Sequence, residues 1–412
     1  QAEDGIRDRS PSRGLGDVYK RQGQRPNGAF MDLVAVPFEA AAGRNIAFWI
    51  DVNIPRGAAP GVYRGDFRLT SDQGSAPVPV TLTVWNFALP VVPSLRSSFL
   101  ASGTPDLATF RELLRNRIMP SSVAPRDQRA LIDQAGLSSV NVGFWSGADG
   151  STCAMSPAPA ASNVQVAAAQ HDPDLFKYAY TADEISYCGN VTALHDTIKG
   201  WSRSLNTAGV KNLITMPPTR ALFNNGNGRP AVDVWVVLPM QYDAAGAALI
   251  GEAQALGSEV WSYNCCVQDG YSPKWQVDFA PVNFRIQHGF IGQSLSLTGL
   301  LYWRVDYWTT TPWTNVTKFY AGSSGFAGEG MLIYPGANVG TVAPAPSMRL
   351  KWIRDGVNDY EYIEILKSLG RGAWALQQAR TVGPDWRNSV SYTHLRAHET
   401  DSYLVCRLLL EK

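Results

Sequence analysis

The hydrophobic pattern of the N-terminal quarter predicts short strands. Apolar runs separated by Gly-, Pro- and Asp-containing turns occur at 46–54, 65–70 and 78–84. Consecutive short strands with turn signals between them predict a β-sandwich. We therefore assign 23–92 to a partial β-sandwich that is expected to be cut at its N-terminal side.

From about residue 95 the pattern changes to strand-like runs that alternate with helical periodicity. Eight apolar runs are centred near Phe99, Val140, Tyr178, Leu213, Val234, Val260, Leu300 and Leu332. Helical patterns lie between several of them, at 107–118, 191–208 and 243–256. This alternation predicts a (β/α)8 barrel over 93–345, with an open doubly wound sheet as the alternative. The segment 145–172 has little periodicity and predicts a long loop over the barrel mouth.

The clearest helical pattern follows the predicted barrel. Residues 347–369 keep apolar side chains at near-helical spacing, with Ser347 suited to cap the helix and Gly370 suited to end it. A second helical stretch lies at 372–380. We therefore assign 346–389 to C-terminal helices packed on the barrel.

The two ends of the chain differ from the rest. Residues 1–22 and 390–412 resemble the translated sequencing-adaptor read-through that occurs at the ends of reading frames from metagenomic assemblies. Segments of this kind are excluded from fold reasoning. The alternative is a genuine basic arm and a genuine C-terminal helix.

Charge and composition exclude several classes of function. With 36 Lys/Arg against 35 Asp/Glu, the chain has no basic excess for nucleic acid or a charged membrane surface. No run of about 20 apolar residues predicts a membrane span. The three histidines outside the excluded ends are too scattered for a convincing metal site, and no cofactor is expected. They are His171, His195 and His288.

The aromatic content points to a partner class. The chain has 13 tryptophans and only 17% charged residues. Sugars present apolar ring faces that stack on aromatic side chains, so a glycan is a reasonable partner, with ordinary core packing as the alternative. Cysteine spacing leaves a Cys153–Cys188 disulfide open, and the oligomeric state is also left open.

The candidate catalytic residues are two adjacent acids. The stretch Phe176–Glu184 reads as an alternating buried strand that ends in Asp183 and Glu184. Acids at the carboxyl end of a barrel strand lie where active sites gather. The alternative is an ordinary helix N-terminus, where acids suit the first turn.

Several stretches, taken together with the acid pair, resemble glycoside hydrolase family 123, the β-N-acetylgalactosaminidase group. They are WIDVNIPRGAAPGVYRGDF and VPVTLTVWNFALP in the first domain, then VWSYNCC, GLLYWRVDYW, GEGMLIYPG and SMRLKWIRDGVNDYEYIEIL. The likeness covers most of 29–370 in the order of the family. It implies a β-sandwich followed by a (β/α)8 barrel, in a secreted or periplasmic bacterial exo-glycosidase.

The resemblance also implies a chemistry that the sequence allows us to check. A conventional retaining glycosidase needs two carboxyls about 5 Å apart on opposite sides of the bond. Neighbouring residues have Cα atoms about 3.8 Å apart, which favours placing Asp183 and Glu184 on one side. Such a pair fits substrate-assisted hydrolysis of a terminal β-linked N-acetylhexosamine, most of all N-acetylgalactosamine. Glu184 would be the general acid, and Asp183 would hold the acetamido N–H. The alternatives are a glycosidase for another glycan and a non-catalytic carbohydrate-binding protein.

The resemblance further implies a set of substrate-binding side chains near two strand ends. They are Trp261, Tyr263, Tyr302, Trp303, Asp306 and Trp308. Because alternate residues of a strand face opposite sides, core packing is the alternative for each aromatic residue. Asp306 stands where an Asn is expected, which leaves the identity of the sugar in doubt. Cys265 and Cys266 are interpreted as structural thiols.

Two other features of the resemblance concern charged residues. Arg285 is expected either to contact the site or to pair with an acid. The acids of RDGVNDYEY are expected to tie their helix to the barrel.

Overall fold

The computed structural model describes residues 51–389, apart from 104, 244, 267–268, 278 and 280. The two terminal segments 1–22 and 390–412 lie outside the described residues. The chain divides into two compact units, of which Phe48–Pro90 is the smaller.

The smaller unit contains a long β-hairpin. Strand β1 (Gly61–Ser71) pairs antiparallel with β2 (Gly74–Val84), and the strands are joined by a two-residue turn. Gly74 adopts a φ of +124°, which only glycine tolerates easily. The predicted strands at 65–70 and 78–84 are confirmed. The β-sandwich is not confirmed: 51–54 form no strand, and the rest of the predicted strand 46–54 lies outside the described residues.

The larger unit is built on one parallel sheet. Its strands are β3 (Arg96–Phe99), β4 (Ser139–Asn141), β5 (Ala148–Asp149), β6 (Phe176–Asp183), β7 (Lys211–Thr215), β8 (Val234–Val237), β9 (Glu259–Tyr263) and β10 (Gly299–Tyr302). They follow the order β3-β10-β9-β8-β7-β6-β4, and β5 pairs beside the end of β6. The strands are almost fully buried, as expected for a parallel sheet covered on both faces.

The segment 119–121 brings the two edges of this sheet together. The Phe99 N–H donates to Met119 O at 3.0 Å, and the Ser121 N–H donates to Phe99 O at 2.9 Å. On the other side the Asn141 N–H donates to Ser121 O at 2.8 Å. The sheet is therefore nearly closed and has the form of a TIM-like barrel, which excludes an open doubly wound sheet.

The strand predicted near Leu332 is not part of the barrel, and this prediction was wrong. The chain there forms β13 (Ile333–Tyr334), which pairs antiparallel with β14 (Ala345–Pro346) in a separate two-stranded sheet. Pro335 and Gly336 end the apolar run after β13, so it is too short for a barrel strand. Another short hairpin, β11 (Phe319–Ala321) with β12 (Ser324–Phe326), precedes it.

Helices surround the barrel. They are α1 (Leu107–Arg115), α2 (Pro125–Ala135), α3 (Ala161–Gln170), α4 (His195–Asn206), α5 (Gly246–Ala255), α6 (Pro281–Ile286), α7 (Gly292–Ser294), α8 (Met348–Ser368) and α9 (Gly372–Val382). A π-type segment, Gln287–Ile291, joins α6 to α7. Within 51–389 no helix is both long and apolar enough to cross a membrane.

Two connections depart from the predicted pattern. Helix α3 lies inside 145–172, so the prediction of a continuous loop there was wrong. Between β7 and β8 the chain forms only the 3-10 turn Arg220–Leu222, where strict (β/α)8 alternation requires a helix. The exact (β/α)8 alternation is therefore not confirmed.

Helix α8 is tied to the barrel by the acids of its signature, as predicted. Arg285 donates to Asp359 at 2.5 and 3.0 Å, which realises one of the two alternatives left open for this arginine. Glu361 accepts from the Ser94 N–H at 2.7 Å and from the Ser94 hydroxyl at 2.8 Å. Ser347 caps the N-terminus of α8 as predicted, since its hydroxyl accepts from the backbone N–H at the start of the helix.

Candidate active site

A β-bulge in β6 decides where the acid pair points. Tyr180 pairs with Leu213 of β7 and Ala182 pairs with the next residue, so Thr181 is the extra residue between them. Strict alternation would put Tyr180 and Asp183 on opposite faces. The bulge instead puts both on the inner face, where the Tyr180 hydroxyl donates to Asp183 Oδ1 at 2.6 Å.

Asp183 is held by one of its two carboxylate oxygens. Besides the bond from Tyr180, its Oδ1 accepts from Thr215 Oγ1 at 2.6 Å. Among the residues that the structure describes, none donates a hydrogen bond to Oδ2. The carboxylate is thus oriented from one side and keeps its second oxygen available to a ligand.

Glu184 adopts an unusual backbone conformation that sets its side chain. Its φ is +48°, in the left-handed region that costs a non-glycine residue about 1–2 kcal/mol. The Glu184 N–H donates to Thr215 Oγ1 at 2.8 Å, which fixes this conformation. Strained residues of this kind concentrate at functional sites.

The Glu184 carboxyl resembles that of Asp183, because only one of its two oxygens accepts a hydrogen bond from a described residue. Tyr263, at the end of β9, donates its hydroxyl hydrogen to Glu184 Oε1 at 2.6 Å. Within the described part of the chain, Oε2 accepts no hydrogen bond. Burial raises the pKa of Glu184; the Tyr263 hydrogen bond acts in the opposite direction, and the charge of Asp183 adds to the rise. A carboxyl that keeps its proton at higher pH suits a general acid.

Thr215 connects the two acids, and sequence reasoning did not identify it. Its hydroxyl donates to Asp183, accepts from the Glu184 N–H, and lies 3.0 Å from the Tyr180 hydroxyl. The signal that could have found it is its position at the carboxyl end of the strand after β6.

Two exposed aromatic side chains flank the acids and were also missed. Trp145 is 47% exposed and meets the Tyr180 ring edge-on at 5.9 Å. Tyr187 follows Glu184 by three residues and is 55% exposed. Partial burial raises the pKa of Tyr187, and the neighbouring charges of Glu184 and Cys265 raise it further.

A disulfide joins the two loops that carry these aromatic residues. Cys153 and Cys188 are bonded, with Cα atoms 5.5 Å apart. Beside the disulfide, Gly150 packs so closely that an added Cβ would lie 3.2 Å from Glu184 O. The pairing that the sequence left open is thus formed next to the candidate acid.

Of the predicted substrate-binding residues, Tyr263 contacts the acid pair directly and Trp261 lies deeper. Trp261 is fully buried and contacts Phe176 at a tilted angle and Tyr178 edge-on. It faces the same side as Tyr263 but lies about 6.6 Å further from the carboxyl end of the strand. This placement favours the core-packing alternative for Trp261.

Tyr302 and Trp303 converge on a buried acid, Glu329, that sequence reasoning missed. The Tyr302 hydroxyl and the Trp303 indole N–H donate to Glu329 Oε1 at 3.0 and 2.8 Å. The Cys266 N–H and the Gln276 amide donate to Oε2 at 3.0 and 3.3 Å. Burial raises the pKa of Glu329, and these donors partly offset the rise. Tyr302 is fully buried, whereas Trp303 is half-buried and can still meet a ligand.

Asp306 and Trp308 make contacts with loops of the barrel. Asp306 is 2% exposed and accepts from the Gly103 N–H at 2.7 Å and from Arg304. The Trp308 indole N–H donates to Ile333 O at 2.8 Å. A substrate contact by either residue stays a prediction.

The barrel with two carboxyls at its mouth is typical of a glycoside hydrolase, and a comparison with protein families supports this class. Residues 225–366 match the family model described as glycoside hydrolase 123, catalytic domain. This match supports the assignment to glycoside hydrolase family 123. The matched region includes Tyr263 and Trp303 and begins after the acid pair. No curated protein matches the chain.

Proposed function

We propose that the protein is a retaining exo-glycosidase that hydrolyses terminal β-linked N-acetylhexosamine, most of all N-acetylgalactosamine. The supporting observation is the arrangement of Asp183 and Glu184. Each carboxyl is held by one oxygen and keeps the other available, and the two belong to adjacent residues at the end of β6. Two carboxyls on adjacent residues can both act from one side of a sugar, whereas they cannot easily lie on opposite sides of its glycosidic bond.

In the first step Glu184 acts as the general acid. Its Oε2 gives a proton to the glycosidic oxygen while the bond from that oxygen to the anomeric carbon breaks. The acetamido oxygen of the same sugar attacks the anomeric carbon and closes an oxazolinium ring. The raised pKa of Glu184 keeps its proton available to a higher pH than that of an ordinary glutamate.

Asp183 acts on the acetamido group during that step. Its available Oδ2 accepts the acetamido N–H, which turns the carbonyl oxygen toward the anomeric carbon. As the ring closes, positive charge develops on the acetamido group, and the adjacent carboxylate stabilises it. Tyr180 and Thr215 keep this carboxylate in place.

The second step returns the groups to their starting state. The Glu184 carboxylate removes a proton from water, whose oxygen attacks the anomeric carbon and opens the oxazolinium ring. Two inversions at one carbon give net retention. Each proton that Glu184 donates in the first step is recovered in the second.

We also propose an oxidising compartment, secreted or periplasmic, for this protein. The Cys153–Cys188 disulfide supports it, because structural disulfides persist mainly in such environments.

The proposed function is tested with Glu184→Gln on the aryl β-N-acetylgalactosaminide, the β-N-acetylglucosaminide and the plain β-galactoside. Loss of a general acid is expected to lower kcat by about 10²- to 10⁴-fold, and by less when the aryl leaving group is strongly acidic. Glu252→Gln is the matched control, since this glutamate lies on α5 in an ion pair with Arg220.

Two outcomes would contradict the proposal. Turnover of the plain galactoside would exclude the substrate-assisted mechanism, because that sugar has no acetamido nucleophile. Silence on all three glycosides from a folded protein would favour another glycan or a binding role. Inhibition by a thiazoline analogue of the cyclic intermediate is a further expected result.

A further inference from the structure

The turn after Glu184 places an aromatic ring next to the candidate acid. The Tyr187 N–H donates to Glu184 O at 3.1 Å, and Ile185–Tyr187 form a 3-10 turn. The Cβ atoms of Glu184 and Tyr187 both lie against Gly150, where an added Cβ would be 3.7 Å from each of them, so the two side chains begin close to one another.

This turn is fixed although the tyrosine ring is exposed. Ile185 is fully buried, and Cys188 is bonded to Cys153 directly after the ring. Gly150 also packs tightly against the turn, since a Cβ added there would lie 3.2 Å from Glu184 O. An exposed aromatic ring on a rigid support binds a flat apolar surface with little further loss of entropy.

The two acids define which end of the substrate this ring meets. Asp183 and Tyr180, with Trp145 against them, lie on the side of the acetamido group. Glu184 lies beside the glycosidic oxygen, so the leaving group departs past Glu184. Tyr187 is an exposed aromatic residue beside this acid, close enough for the charge of Glu184 to act on its hydroxyl.

We propose that Tyr187 forms a leaving-group subsite that stacks the sugar ring following the terminal N-acetylhexosamine. The inference rests on the proposed function and deepens it. The natural substrate is then an oligosaccharide chain whose penultimate unit is a pyranose, and not a glycoside of a simple alcohol. The Cys153–Cys188 disulfide fixes the turn that carries both Glu184 and the Tyr187 ring.

The test compares Tyr187→Ala and Tyr187→Phe with wild type on two kinds of glycoside of N-acetylgalactosamine. One is the β-linked disaccharide with galactose, offered through O3, O4 or O6, and the other is the methyl β-glycoside. Tyr187→Ala is expected to lower kcat/KM about tenfold on the best disaccharide and to leave the methyl glycoside within about twofold. Tyr187→Phe keeps the ring and is expected to retain activity on both.

The matched control is Tyr320→Ala, which removes a ring that is 58% exposed on β11. No change, or an equal loss on the two glycosides, would overturn the subsite while leaving the proposed function standing. Wild-type protein that is folded and inactive on both would overturn the proposed function, and the subsite with it.

Discussion

Tyr263 and Glu184 form the hydrogen bond that tunes the candidate acid. The bond is 2.6 Å long, and the phenol donates to a carboxyl oxygen. Since a donor stabilises the charged form of a carboxyl, this contact lowers the pKa of Glu184 against the rise that burial causes. Tyr263 thus sets the upper pH at which the acid keeps its proton.

Tyr263→Phe is expected to raise the pKa of Glu184 further. The sign follows from the lost donor: the carboxylate becomes less stable, so protonation persists to higher pH. The alkaline limb of kcat/KM, which reports deprotonation of the general acid, then moves to higher pH. Profiles of kcat/KM against pH for both proteins check this, and a limb that stays or moves downward would contradict it.

The residue types of the site were partly readable from sequence. The acid pair stood out because a buried alternating run ended in two carboxyls, and Tyr263 followed from its place at a strand end. Thr215 gave no comparable signal, because one threonine after an apolar run is common. Its role depends on pairing opposite Asp183 in the next strand.

At the scale of elements, the bulge at Thr181 matters most to the site. Side chains of β6 face inward at Tyr178 and Tyr180, and the extra residue brings Asp183 to the same face. Ala182 then faces the outer cluster with Ile214. One residue inserted in a strand therefore decides whether an acid points into the barrel or away from it.

Insertion of one alanine between Ala182 and Asp183 is expected to turn Asp183 outward, because an added residue moves the next side chain to the opposite face of the strand. Activity on the aryl β-N-acetylgalactosaminide should fall by at least about 10²-fold, since misplacing a catalytic group by about 1 Å can cost that much. Thr181→Val is the control, because it keeps the chain length and loses only the 2.5 Å hydrogen bond to Asn212.

Comparison of the two variants separates the effect of the strand register from the effect of the Thr181 side chain. Near-UV circular dichroism and Tm establish that each is folded. Equal activity of the insertion variant and wild type, or equal loss in both variants, would refute the role given to the strand register at Asp183.

On the scale of the whole molecule, a buried histidine links stability to pH. His288 lies in the π-type segment between α6 and α7, is fully buried, and contacts the Trp275 ring at 4.8 Å. Neither of its ring nitrogens has a hydrogen-bond partner among the described residues. Burial lowers the pKa of His288 to about 3.

This shift predicts acid lability. The unfolded chain takes up a proton on His288 below its ordinary pKa of about 6.5, whereas the folded protein resists until about 3. The free energy of unfolding should thus fall as the pH drops from 6.5 toward 3, by at most about 1.4 kcal/mol per pH unit from this group.

His288→Leu is expected to flatten this dependence. Urea denaturation at a series of pH values measures the slope, and the range from pH 7 to 9, where His288 is neutral in both states, serves as the internal control. An unchanged acid slope in the variant would show that other groups cause the lability.

The architecture could be predicted to a useful degree because it depends on local patterns. Buried parallel strands read as continuous apolar runs, and helices α1, α4, α5, α8 and α9 follow from periodicity and capping. The ring closure through 119–121 was not predicted, because three residues with a proline form no strand pattern. The apolar run at Leu332 was wrongly predicted to be a barrel strand, because apolar residues alone do not reveal which strand a segment pairs with.

By itself the sequence indicated the family resemblance and the barrel class and singled out the two candidate acids, since each is written in contiguous residues. Tertiary structure alone decided the direction of Asp183, the hydrogen bonds at Thr215 and Tyr263, and the disulfide beside Glu184. These depend on register between strands and on contacts across long separations in the chain. Both are set when whole elements pack, and no stretch of neighbouring residues carries that information.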